Sequence, residues 1–149
     1  MLVQELLTNR KQKVFTITPD QTVEEAITEM ALNKTSALIV MEGDYPVGIF
    51  AERDVLRCHL KEKGKAFNQV KVKDAMTNKL ISAKPEDEIG TAVSIMLKAD
   101  IRHLPVLKHK KVIGMLTIND LVEHQISILN AELQHLQGYL ADLHDAGKD

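Results

Sequence analysis

Apolar residues run along this chain in two alternating rhythms, and the whole succession occurs twice. Val14-Phe15-Thr16-Ile17 is a short β-leaning run cut off by Pro19; Val23, Ala26, Ile27 and Met30 then recur at the spacing of one helix face. Leu80-Ile81-Ser82-Ala83, Pro85, and then Ile89, Ala92, Val93 and Met96 repeat the sequence of events. Two more apolar runs follow in each copy, over 37–41 and 47–50 and over 103–107 and 112–116, joined by the polar turns Glu42-Gly43-Asp44 and Lys108-His109-Lys110. A further helix closes each copy, from about 52 to 62 and from about 118 onward. The predicted order is strand, helix, strand, strand, helix, twice over.

The copies superpose at a shift of 66 positions, residues 14–57 on 80–123 without a gap, pairing Pro19 with Pro85, Leu38 with Leu104, Gly48 with Gly114 and Asp54 with Asp120. A unit of this length used twice predicts an α+β pair with pseudo-twofold symmetry and a cleft between its halves. A short apolar preface, 3–7 and 72–76, precedes each copy and ends in Thr-Asn; its offset is 69, which places three extra residues near Arg10 to Lys13. The expected divisions are repeat 1 over 1–66, repeat 2 over 67–125 and a helical extension over 126–149. Thr22 with Glu25 forms a capping box for the first long helix, the second has only Glu88 with Thr91, and the two helices should end near Asn33 and Ala99.

The last helix departs from the repeat. Val122, Ile126, Leu129, Leu133, Leu136, Leu140 and Leu143 recur at alternating steps of four and three, a heptad seam. Over 120–143 the helix would be about 36 Å long. The stripe either folds back on its own domain or meets a second chain; the pattern favours self-association as a homodimer, with docking of a protein partner as a further use.

Composition narrows the classes. At 149 residues, 44% hydrophobic and 27% charged, the chain can bury one good core. No apolar run reaches the roughly 18 residues of a bilayer span, and Met1-Leu2-Val3-Gln4-Glu5 does not open a signal peptide, so the expectation is a cytoplasmic protein without membrane partners. Cys58 is the single cysteine, which excludes an internal disulfide and a cysteine cluster for zinc. A net charge of −2 and 3% aromatic residues argue against nucleic acid. One basic stretch stands out, Arg57, Lys61, Lys63, Lys65, Lys71 and Lys73 against Glu62, read either as a solvated linker or as a rim that draws phosphate toward the cleft.

The most specific segment is Gly114-Met115-Leu116-Thr117-Ile118-Asn119-Asp120, where a strand runs into a helix. Glycine there permits close backbone approach, Thr117 can cap the helix and Asp120 sits at its third position. Gly48-Ile49-Phe50-Ala51-Glu52-Arg53-Asp54 keeps the glycine and the acid but has Ala51 for the threonine. An acid retained without its capping hydroxyl hints that Asp54 does more than cap.

This repeat order with Gly-h-h-Thr-x-x-Asp (h, apolar) resembles a tandem pair of cystathionine-β-synthase (CBS) domains, a Bateman module, over about residues 3–125. The resemblance implies two small sheets packed face to face, with clefts that bind adenine nucleotides such as AMP, ADP or ATP, or related adenosyl ligands. It assigns the ribose hydroxyls to Asp120 and Asp54 and ribose or phosphate to Thr117. Arg53 resembles a phosphate-binding arginine, or is a surface residue of its helix, and Arg102 and His103 stand where relatives meet base and phosphate. Because Ser36 and Ala37 are their uncharged counterparts and Ile39 stands for Pro105, the second-repeat half is expected to be the better site. Adenine itself needs apolar walls and backbone bonds, for which Phe15, Thr16 and Ile17, Ile81, Ser82 and Ala83, with Leu104 and Val106, are candidates, the alternative being that they are simply core.

No catalytic centre is legible. The six histidines include no pair four residues apart on a helix, Cys58 and His59 point to different sides of theirs, and no phosphate-binding loop or nucleophile elbow occurs. The chain therefore reads as a regulatory nucleotide-binding module, neither an enzyme nor a metal protein, needing no cofactor. A scaffold with vestigial clefts is the rival reading.

Overall fold

The computed structural model describes residues 1–9 and 13–146, so of the insertion expected near Arg10 to Lys13 only Lys13 is among them. The chain divides into one unit over Met1–Leu116 and a second over Thr117–Asp149.

The first unit opens with α1 (Val3–Asn9). It continues through β1 (Thr16–Ile17), α2 (Val23–Leu32), β2 (Ala37–Glu42), β3 (Tyr45–Ala51) and α3 (Glu52–Lys61). A single 3₁₀ turn at Phe67–Gln69 leads to α4 (Val72–Ala75), α5 (Ile89–Ala99), β4 (His103–Lys108) and β5 (Lys111–Thr117). β2 lies in the middle of a three-stranded sheet, parallel to β1 with Thr16 opposite Ile39, and antiparallel to β3 with Leu38 opposite Phe50. The all-buried run from Ala37 to Val40 follows from that central place, where both faces are covered.

In the second repeat the expected opening strand shrinks to one parallel bridge, Ala83 to Val106, beside the two-stranded β4–β5 sheet. The reason is a proline. Ile39 donates its N–H to the Phe15 carbonyl at 3.0 Å, whereas its counterpart Pro105 has no N–H to offer Ile81. Only the next rungs form, Ala83 N–H to the Pro105 carbonyl and Leu107 N–H to the Ala83 carbonyl, both at 2.9 Å.

The prefaces are exchanged between the repeats. At α1, Val3 and Gln4 donate to the carbonyls of Asp87 and Pro85 at 2.8 and 2.9 Å, both in repeat 2. At α4, Val72 and Lys73 donate to Gln21 and Pro19 at 2.8 and 3.0 Å, both in repeat 1. Val70 and Val72 accordingly belong to the core built by Ile17, Val23, Ala26, Met30, Leu38, Val40, Phe50 and Cys58, although they lie beyond the boundary drawn at residue 66. Full burial of each large side chain there stabilises the unit by roughly 1.5–3 kcal/mol.

This exchange explains the motif glycine. Ile49 and Thr77 trade backbone bonds at 3.0 and 2.9 Å, and a Cβ on Gly48 would stand 2.7 Å from the Thr77 carbonyl oxygen and 2.8 Å from Met76 Sδ. At Gly114 the corresponding contact is with the Leu7 methyls, 2.9 Å away.

Helix ends follow their sequence signals. Thr22 Oγ1 accepts from Glu25 N–H at 3.1 Å, whereas Glu88 makes no side-chain cap. Residues Lys34 and Asp100, equivalent in the two repeats, both turn left-handed after their helices, with φ of 52° and 53°.

The second unit is α6 (Ile118–Ala146), 29 residues and about 43 Å long. Thr117 N–H donates to Asp120 Oδ2 at 2.9 Å and Asp120 N–H to Thr117 Oγ1 at 3.2 Å, a reciprocal capping box. The heptad positions form one stripe, each about half exposed, from 50% at Val122 to 55% at Leu140. No helix among the described residues is long and apolar enough to cross a membrane.

Candidate functional site

β3 delivers the chain into α3, and the first turn of α3 forms one wall of a cleft of about 460 Å³ within the first unit. That volume lies in the range of small-molecule sites. Ile49, Ala51, Arg53, Asp54 and Arg57 come from repeat 1; Thr77, Lys79, Ile81, Asp100, Arg102, His103 and Pro105 face them from beyond it.

Asp54 is the buried charge of this wall, 3% exposed. Burial of a carboxylate is tolerated only where it is bonded and charge-balanced. Its Oδ2 accepts from Ala51 N–H at 2.8 Å, its Oδ1 accepts from Thr77 Oγ1 at 2.9 Å, and Arg57 Nη1 stands 3.7 Å from Oδ1. Ala51 gives the helix no side-chain cap, and the one hydroxyl bonded to the Asp54 carboxylate comes from Thr77, outside the motif. Two donors occupy two of the roughly four acceptor directions of a carboxylate.

Two bonds cross between the repeats at the rim. Arg53 Nη1 donates to the Asp100 carbonyl at 2.8 Å and lies 3.7 Å from Asp100 Oδ2. Asp100 can offer that carbonyl because its left-handed backbone ends α5 there. Ser36 Oγ and His103 Nε2 are hydrogen-bonded at 2.6 Å. The cations lining the cleft are Arg53, Arg57, Lys79 and Arg102, set against Glu52, Asp54 and Asp100. Pro105 and Ile81 meet here too, and the Ile81 carbonyl, which receives no ladder bond from Pro105, belongs to this lining pair. Of the basic stretch, Arg57 lines the cleft, while Lys71 and Lys73 lie 3.7 and 3.3 Å from Asp20 and Lys65 3.5 Å from Glu62.

The structure thus brings Arg53, Asp54, Ile81, Arg102 and His103 into one cleft. Arg102 and His103, grouped by sequence with the second-repeat motif, line the cleft of the first-repeat motif, because the start of β4 borders the first turn of α3. Ser82 is half-buried beside Ile81, and Thr16 is exposed in β1 opposite Ile39. Thr117 and Asp120 belong to the second unit, where they cap α6, and Asp120 is buried. Sequence reasoning did not single out Thr77, Lys79 or Asp100. The Thr-Asn pair that ends both prefaces was the available signal for Thr77; the other two carry none.

The CBS domain profile matches twice, over residues 3–61 and 72–127. A mitochondrial CBS domain-containing protein of Arabidopsis thaliana is 38% identical over 128 residues, which span 83% of this chain and 62% of that protein. A crystal structure of a CBS-domain containing protein from Agrobacterium tumefaciens superposes with a TM-score of 0.78 at 28% identity, covering 84% of this chain and 99% of the other. A CBS domain protein from Pyrobaculum aerophilum, solved in complex with AMP, shares the fold at a TM-score of 0.71 and 24% identity, over 80% of this chain and 89% of its own.

Proposed function

The chain belongs to the CBS-domain family as a tandem pair, and from that premise we propose that it is a non-catalytic regulatory module whose cleft at Asp54 binds an adenine nucleotide. One observation carries the reading: a buried carboxylate with acceptor capacity to spare, at a helix start, in a cleft where four cations converge from both repeats. A vicinal diol of ribose donates two hydrogen bonds, which is what the free directions of Asp54 can accept. The guanidinium groups of Arg53 and Arg102 and the ammonium of Lys79 suit phosphate oxygens. Ile49, Ile81 and Pro105 offer apolar walls to a base, and the Ile81 carbonyl offers an acceptor to an exocyclic amino group.

Ligand that touches both repeats favours one relative orientation of them and shifts the population toward it. Arg53 is the natural relay, because a phosphate competes with the Asp100 carbonyl for the same guanidinium. Thr117 and Asp120 are the residues a second ligand would use, on the strength of the repeated motif. The rival reading, a scaffold with vestigial clefts, draws on the same bonds: Asp54 already holds two donors and Arg53 already holds the Asp100 carbonyl.

Calorimetric titration with AMP, ADP, ATP, IMP, NAD and S-adenosylmethionine separates the two. Adenine nucleotides should bind with IMP weaker, and Asp54→Ala should weaken binding at least tenfold, the loss of about 1.4 kcal/mol from one charged hydrogen-bonding group. Silence across the panel at millimolar ligand establishes the scaffold.

A further inference from the structure

We propose that the two copies of the motif have diverged by charge, so that this chain holds one phosphorylated ligand, at Asp54, and none on the Asp120 copy. The inference rests on the ligand reading above and adds to it a stoichiometry and two residues, Lys79 and Arg102, that set it.

The repeat itself supplies the comparison. At the shift of 66 positions, Arg53, Arg57 and Arg102, three of the four cations of the cleft, correspond to Asn119, Glu123 and Ser36. His103 corresponds to Ala37, while the acids Asp54 and Asp120 correspond to each other. One replacement runs the other way, Lys34 for Asp100, but an exposed lysine is a single point charge on a flexible stem. The second copy thus keeps the carboxylate that suits ribose hydroxyls and has none of the three guanidinium forks that suit phosphate. Glu123 adds a further carboxylate one helical turn from Asp120, which opposes an anion there.

Within the Asp54 cleft the protein does not neutralise all of its own cations. Arg57 stands by Asp54 and Arg53 by Asp100, each at 3.7 Å, whereas Lys79 and Arg102 make no ion pair or hydrogen bond among the described residues. Thr77, Lys79 and Ile81 all line the cleft at the two-residue period of an extended chain, so Lys79 borders the same space as the Thr77 hydroxyl that bonds Asp54. The helix starts differ in the same sense. Thr117 Oγ1 holds the Asp120 N–H at 3.2 Å, and Ala51 has no oxygen with which to hold that of Asp54. With Arg53, Arg57, Lys79 and Arg102 set against Glu52, Asp54 and Asp100, the lining carries a positive excess that a phosphate relieves and a cationic ligand would aggravate.

Calorimetric titration of the full chain with AMP tests this. Wild type should take up one AMP per 16.7 kDa chain. Its affinity should fall several-fold as salt rises from about 0.05 to about 0.5 M, because screening shortens the reach of the cations. Lys79→Met with Arg102→Met should weaken AMP at least tenfold and reveal no other site of wild-type affinity, with the thermal transition intact because both side chains are exposed. 5′-Methylthioadenosine, which carries the base and ribose without a phosphate, should bind both proteins within about twofold of each other when measured by competition. Two AMP sites of similar affinity in wild type, AMP affinity unchanged in the double variant, or equal losses for the two ligands would each overturn this inference and leave the ligand reading standing. Silence with AMP and every other nucleotide overturns both. Stoichiometry and salt dependence are read on wild type alone, so refutation does not hang on the stability of the variant.

Discussion

Alanine at Gly48 tests the exchanged preface directly. The new Cβ would lie 2.7 Å from the Thr77 carbonyl oxygen, about 0.7 Å short of ordinary contact at 3.4 Å, and 2.8 Å from Met76 Sδ. A backbone oxygen cannot rotate away, so the strain must open the two Ile49–Thr77 bonds, now 3.0 and 2.9 Å. Overpacking costs about 1–3 kcal/mol and each weakened bond up to about 1 kcal/mol, so the expected loss is about 2–4 kcal/mol. That is a large part of the 5–15 kcal/mol typical of a domain. Gly114→Ala is the internal control: the atoms nearest its Cβ belong to the Leu7 side chain, whose methyls a rotamer change moves, and the cost should stay near 1 kcal/mol. Urea unfolding of both variants and wild type, with m-values compared, gives the two differences; for a chain of this size the thermal midpoints should fall by about 6–12 °C and about 3 °C respectively. Equal losses, or a larger loss at Gly114, would refute the account of why this glycine is required.

Thr77→Val should weaken nucleotide binding several-fold by removing the donor that fixes Asp54 Oδ1, and Thr77→Ser should restore it; titration of the three proteins decides, and an equal loss in both variants would point to packing instead. Burial pushes the Cys58 thiol above its ordinary value of 9.0, with the Glu62 carboxylate adding to the rise, so alkylation of the native protein at pH 8 should be limited by unfolding. The same shift gives a sign for stability: the Cys58 contribution is fully present below the unfolded thiol's pKa and declines as pH rises past about 9, measurable as a falling urea midpoint between pH 8 and 10.

Secondary structure was legible because each element carried its own period: β2 and α2 fall where the alternation and the helical face put them, and Thr22 caps as its spacing to Glu25 requires. The opening strand of repeat 2 was not, because its failure turns on one absent N–H at Pro105, a residue 22 positions beyond Ala83. For the same reason the partners of Asp54 stayed hidden. Thr77 and Arg102 reach the cleft through a chain crossing between repeats, and no local pattern encodes which half a segment visits. Periodicity also located the seam of α6, and its half-exposed leucines give that pattern its physical content.

The exchanged prefaces make the tandem arrangement obligatory. Each half borrows its first turn from the sequence that nominally introduces the other, so severing the chain near residue 66 would strip Val70 and Val72 from one interior and leave Val3 and Leu6 without a bed. Neither half is a portable cassette. Each leader closes the interior of the opposite half, so the two cores are complete only in a chain that carries both.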